Sequence, residues 1–267
     1  MENDLCRLER DGPIARLIWS RPDRLNPVGR DGDGARMQAV CDEIDADAGL
    51  RCVIVTGEGR AFSAGGDLVA MRDRTGTFAG SAAELQAGYE RNLQGVIRAL
   101  WSLETPAIAA VNGPAVGLGF TLACLCDIRI LSSEARFKMP FLNLGVIPGD
   151  GGLWLLSRMV GFSRATEMCF TGATYDAETA VSWGLASRVV APEALMETAT
   201  ELAHEIAAKP PQALRHTKRL MRHALTQDYA QAMREAAAVQ AILHQGADHM
   251  EGVRATLEKR VPRFTGE

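Results

Sequence analysis

AIAAVNGPAVGLGFTLACLCDIRI, residues 107–130, decides how this chain folds. Ala107–Val111 is a short apolar run of strand length, too brief for a helix. Asn112-Gly113-Pro114 breaks it, and Gly117 and Gly119 punctuate the residues that follow. From about Leu118 to Cys126 the apolar residues run on as a helix, and Ile128-Arg129-Ile130-Leu131 is the next strand. A strand, a helix and a strand in so short a stretch call for an α/β fold.

The same alternation extends outward. Ile14–Trp19 reads as a strand, residues 34–46 as an amphipathic helix with Met37, Val40, Cys41 and Ile44 at helical spacing, and 52–56 as an apolar strand ended by Gly57. Beyond Pro148 the pattern turns helical, over 152–160, 163–169, 176–183 and 192–208, with three more helices after Pro210-Pro211, a pair suited to a first helical turn. Residues 186–190 are the single late strand in this reading. Residues 75–83, small and polar, are the candidate for a mobile loop.

Composition narrows the classes. The 267 residues are 47% apolar and 23% charged, ordinary for a globular protein with a substantial core. A net charge of -4 with no long basic run argues against nucleic acid as a partner. No apolar stretch reaches the ~18 residues of a membrane span. The acidic opening Met1-Glu2-Asn3-Asp4 lacks the order of a signal peptide, so a cytoplasmic location is expected. The six cysteines form no CxxC pair and have no histidine at ligand spacing. They are expected to be reduced core residues, with no metal site.

Two glycine-rich turns carry the chemistry. Arg60-Ala61-Phe62-Ser63-Ala64-Gly65-Gly66-Asp67-Leu68 follows one strand, and 111–120 follows the next and opens a helix. Glycine lets backbone approach a ligand closely, and a helix N-terminus offers free N–H groups to developing negative charge. Two such donors aimed at one oxygen form an oxyanion hole, worth ~3–4 kcal/mol per donor. Taken singly, each turn is equally well a tight turn and nothing more. Ser63 lacks the GxSxG setting of a hydrolase nucleophile.

Taken together, AFSAGGDL, the 107–130 stretch, FLNLGVIPGDGG, WGLASRVV and LEKRVPRF resemble, in order and over nearly the whole chain, the crotonase (enoyl-CoA hydratase/isomerase) superfamily. The resemblance implies a ββα spiral core over residues 1–195 that binds acyl-CoA. It also implies a helical trimerisation region over 196–267 that completes the CoA site, in a homotrimer or dimer of trimers. Its substrate would be an acyl-CoA thioester, and no cofactor beyond that coenzyme A is implied. By the same resemblance the oxyanion donors are the backbone N–H groups of Gly66 and of Leu118, which stands where glycine is usual. Asp67 anchors its loop, Ala64 and Leu68 border the adenine, Arg24 meets phosphate, and Lys259 reaches a neighbouring subunit's nucleotide. For Arg24 and Lys259 a solvated surface charge is the plain alternative.

The family pattern fails at two positions. Hydratases of this family use two glutamates to hold water and shuttle its proton; Thr121 and Phe141 occupy those places. Thr121 can hydrogen-bond a water but is a poor base, and Phe141 can only shape the pocket. Asp150, in Pro148-Gly149-Asp150-Gly151-Gly152, is the acid left nearby. It reads either as a helix N-cap or as a proton-transfer group. The expected function is therefore that of an enoyl-CoA hydratase/isomerase-type lyase or isomerase. The alternatives are thioester hydrolysis, decarboxylation or dehalogenation on the same oxyanion hole, or a catalytically silent acyl-CoA-binding protein. Phe78, Tyr89, Phe120 and Phe141 are candidates to set acyl-pocket depth. Glu134, Lys138, the five tail histidines and the tryptophans are expected to serve surface or packing.

Overall fold

The computed structural model describes residues 4–267; Met1, Glu2 and Asn3 of the acidic opening lie outside the described residues. Six strands lie side by side in the order Cys6–Asp11, Ile14–Trp19, Cys52–Gly57, Ala107–Val111, Ile128–Ser132 and Arg188–Val190. The first pair is antiparallel and every later neighbour is parallel. These strands read as unbroken apolar runs because both faces of the sheet are covered. Odd-numbered Leu17, Val53, Val55 and Ala109 face the main core. Even-numbered Ile14, Cys52, Ile54 and Ile108 face the helix Leu195–Ala207, which presents Leu195, Ala199 and Ala203 at four-residue spacing.

From Ile14–Trp19 on, each long strand is followed by a short one that leaves the main sheet, and a helix closes the unit. Cys52–Gly57 leads to Gly65–Gly66 and the helix Leu68–Asp73; Ala107–Val111 leads to Pro114–Val116 and Leu118–Leu125. The short strands pair among themselves, Pro27–Val28 with Gly65–Gly66, and Pro114–Val116 with Arg136–Lys138 and Thr174–Asp176. This is the expected crotonase-like ββα arrangement, followed by three C-terminal helices, Pro211–Ala224, Tyr229–Leu243 and Ala247–Glu258.

Several readings change. Thr174–Asp176 is a second late strand, missed because three residues carry no alternation to recognise. Residues 75–83 are pinned and not a plain loop. Buried Thr77 donates to Asp31 at 3.1 Å and accepts from Asn92 at 2.8 Å, and Ser81 and Glu84 form a capping box. The division between 195 and 196 falls at the first residue of the helix that covers the sheet, so that helix packs as part of the core. Trp101, Trp154 and Trp183 sit half-buried at the core's edge, each beneath an arginine. All six cysteines are buried and unbridged.

Asp127 ties the tail to the sheet. Its carboxylate accepts from Lys218 at 2.8 Å, from Arg222 at 3.1 Å and from the Ala107 N–H at 2.8 Å. Lys218, itself buried, also donates to the Thr105 carbonyl at 2.7 Å.

Candidate active site

The two glycine turns are laced together by backbone. Phe62 and Ser63 donate to the Pro114 carbonyl, and Val116 donates to the Ser63 carbonyl at 2.9 Å. Gly65, at φ +85°, lies so close that a Cβ there would stand 2.4 Å from the Val116 carbonyl and 3.1 Å from the Leu118 nitrogen. A Cβ on Gly119 would stand 2.1 Å from the Ser63 carbonyl. Only glycine permits this approach, and it brings Gly66 and Leu118 to neighbouring places. Ser63 serves the turn: it is buried, donates to the Asn26 carbonyl at 2.7 Å and accepts from the Gly65 N–H.

Leu118 opens the helix Leu118–Leu125, every residue of which is buried. Its N–H has no preceding turn to bond to, so it is one of the free donors of a helix start. Gly117, at φ +54°, donates to the Lys138 carbonyl at 2.8 Å and accepts from Thr121 at 3.0 Å, which fixes the direction of that start. The half-buried Phe141 ring lies against Gly117, 3.3 Å from where a Cβ would stand.

One turn along the same helix, Thr121 donates its hydroxyl to Asp150 at 2.8 Å. Both residues are 1% exposed. The other Asp150 oxygen accepts from the Gly152 N–H at 3.0 Å. Burial pushes the Asp150 carboxyl above the ordinary range, and the Gly152 N–H and Thr121 hydroxyl offset this only in part. Both readings of Asp150 thus have a physical basis. It binds the first N–H of the helix Gly152–Met159, while Gly151, at φ +81°, holds the cap position itself.

Asp67 caps the helix Leu68–Asp73, accepting from the N–H groups of Val69 and Ala70 and from Arg30 at 3.0 Å. Burial alone would raise its pKa, but those N–H donors and the guanidinium hold it below the usual value. Arg24 lies 3.7 Å from Asp67 with its side chain largely exposed, and lines a cavity of about 450 Å³ with Arg30, Thr77 and Phe78. Ala64 donates to the Leu25 carbonyl, and Leu68 is 57% exposed beside the same turn. Lys259 is separate: it ends the last helix at φ +55°, exposed, and no hydrogen bond or ion pair among the described residues joins it to these turns.

The pocket-depth candidates divide. Phe120 is fully buried against Phe137 in the core, so it shapes no pocket. Phe78 lines the Arg24 cavity, Phe141 flanks Gly117, and Tyr89 lies over Gly149, beside Asp150. Met71 was missed: its methyl group lies where a Cβ on Gly66 would be, and nothing in its sequence setting marks it. Among the described residues no cluster of three or more His, Cys, Asp or Glu could hold a metal ion, and no helix is long and apolar enough to cross a membrane.

The enoyl-CoA hydratase/isomerase family model matches residues 12–267. The chain belongs to this family. Its relatives in the family include 1,2-epoxyphenylacetyl-CoA isomerase of Escherichia coli, 38% identical over the whole of both chains. Short-chain-enoyl-CoA hydratase of Clostridium acetobutylicum is 36% identical over 97% of each. Among solved structures, an enoyl-CoA hydratase subunit of Geobacillus kaustophilus superposes with a TM-score of 0.88 at 34% identity over the whole of both chains. An enoyl-CoA hydratase of Bacillus anthracis superposes at 0.91 with 28% identity, covering 98% of this chain and 100% of that one. This member is an acyl-CoA enzyme of the hydratase/isomerase type.

Proposed function

We propose that this chain is an isomerase-type member, polarising an acyl-CoA thioester between the N–H groups of Gly66 and Leu118 and moving a proton with Asp150. The thioester oxygen accepts both N–H groups, so electron density released at the neighbouring carbon is drawn onto it. Asp150, as carboxylate, takes a proton from the acyl chain to give the enolate, then returns it to a different carbon as the enolate collapses. Mass is unchanged and the double bond moves. Thr121 and Phe141 stand in place of the usual glutamate pair, so this site has no second carboxyl to hold and split water. The observation that carries this reading is the buried Thr121–Asp150 hydrogen bond, on the helix that Leu118 begins. An isomerase name among the relatives agrees with it.

Arg24 meets the phosphates at the cavity mouth, with Ala64 and Leu68 bordering the adenine. Lys259 contributes from a neighbouring copy, in a trimer or dimer of trimers. The test is incubation with 2-enoyl-, 3-enoyl- and dienoyl-CoA, with products resolved by chromatography and mass spectrometry. A shift at constant mass is expected. Gain of 18 mass units, the mass of water, or full turnover by Asp150→Asn, overturns the reading.

A further inference from the structure

We propose that Tyr89 is a specificity-determining residue whose hydroxyl donates a hydrogen bond to an oxygen on the acyl group, so that preferred thioesters carry a hydroxyl, keto or ether oxygen beyond the thioester carbonyl. This rests on the acyl-CoA reading above and adds the kind of acyl group.

The helix that begins at Ala82 and continues to Ser102 is interrupted by a π-helical turn, Tyr89–Leu93. Such turns insert one residue into a helix and are frequent at functional sites. This one begins at Tyr89 itself. Two glycines hold the helix in register nearby. A Cβ on Gly95 would stand 2.9 Å from the Gly34 Cα, and one on Gly88 would stand 3.0 Å from the Thr77 carbonyl. The inserted turn delivers the phenol to Gly149: a Cβ there would stand 3.4 Å from the ring and 3.6 Å from the hydroxyl oxygen. Gln94, on the next turn, donates to the Gly149 carbonyl at 3.0 Å and fixes the loop beneath the ring.

Thr121 donates to one Asp150 carboxylate oxygen and the Gly152 N–H to the other. The Tyr89 hydroxyl has no hydrogen-bond partner among the described residues, although the side chain is half-buried. A phenol so placed ordinarily finds a partner. Burial, with the Asp150 charge second, pushes its pKa up to about 12, so it stays a donor through the working range. The hydroxyl is therefore free to donate to an oxygen that a ligand brings.

The test is binding, independent of turnover. Calorimetry would compare hexanoyl-CoA with its 3-, 4- and 5-hydroxy derivatives on the full chain and on Tyr89→Phe, with melting curves to confirm an intact fold. At least one hydroxy derivative should bind the native protein about fivefold more tightly than hexanoyl-CoA. Tyr89→Phe should erase that preference and leave hexanoyl-CoA affinity within about twofold. No preference in the native protein, or a preference that survives Tyr89→Phe, overturns the proposal. Failure of every CoA thioester to bind overturns the acyl-CoA reading with it, and so is told apart from failure of the Tyr89 proposal alone.

Discussion

In the proposed mechanism Asp150 sets stability against chemistry in one carboxyl group. Its buried position favours the protonated form, so its folded pKa lies above its unfolded one. The resulting stabilisation is fully present below the unfolded carboxyl range and is lost as pH rises through the folded value. Asp150→Asn, which keeps the shape and an acceptor for the Gly152 N–H, should therefore melt above the native protein at neutral pH. The gap should close as pH falls through the carboxyl range, while turnover drops about 10²–10⁴-fold. Melting temperature against pH, beside kcat, checks both halves. Thr121 acts on the same group, since its hydroxyl lowers the Asp150 pKa. Thr121→Val should move the acidic limb of the kcat profile to higher pH, because the carboxylate form then appears later. An unmoved limb would mean that Asp150 is not the group titrating.

The helix Leu118–Leu125 and the strand Gly65–Gly66 work as one element, because the proposed oxyanion hole forms only where they meet. Gly65→Ala would place a methyl 2.4 Å from the Val116 carbonyl at a φ of +85°. Neither backbone can yield without parting the two turns. The expected cost is at least about 2 kcal/mol of stability. Turnover should fall about 10²–10³-fold, as when one oxyanion donor is lost. Urea denaturation and kcat/KM measure the two effects. A variant that unfolds at the native midpoint and keeps full activity would show that the close approach is not required. The sequence showed glycines at both turns but not that Gly65 and Gly119 interlock with the other turn, because contact across 50 residues leaves no local pattern.

Across the whole molecule, Asp127 joins the sheet and the tail through Ala107, Lys218 and Arg222. Removing it strands the buried Lys218 ammonium, whose own pKa burial already lowers. Asp127→Ala should cost about 1.5–3 kcal/mol, visible as a lower denaturation midpoint and earlier proteolysis in the C-terminal helices. Lys259 belongs to the assembly scale. It lies exposed and apart from the glycine turns of its own chain, so the proposed nucleotide contact requires another copy. Light scattering should give three or six chains, and Lys259→Ala should weaken CoA-thioester binding about fivefold at low salt and less at high salt. A monomer with unaltered affinity on Lys259→Ala would remove Lys259 from the site.

The amino-acid order by itself determined the α/β class, the long strands from Ile14 onward, most of the helices and the two glycine turns, but not the first strand, Cys6–Asp11. Apolar runs and glycine breaks are local signals that burial and backbone sterics write directly into neighbouring residues. It also supplied the expectation that Thr121 and Phe141 stand where the family resemblance calls for an acid pair, since residue identity at a motif position needs no coordinates. Only the tertiary structure decided what Asp150 touches, that Tyr89 begins a π-helical turn over Gly149, that Phe120 packs away from any pocket, and that residues 75–83 are pinned through Thr77. Those facts depend on side-chain direction and on contacts between distant segments. Packing of the whole chain sets them, and two- or three-residue strands are too short to announce the pairing that makes it possible.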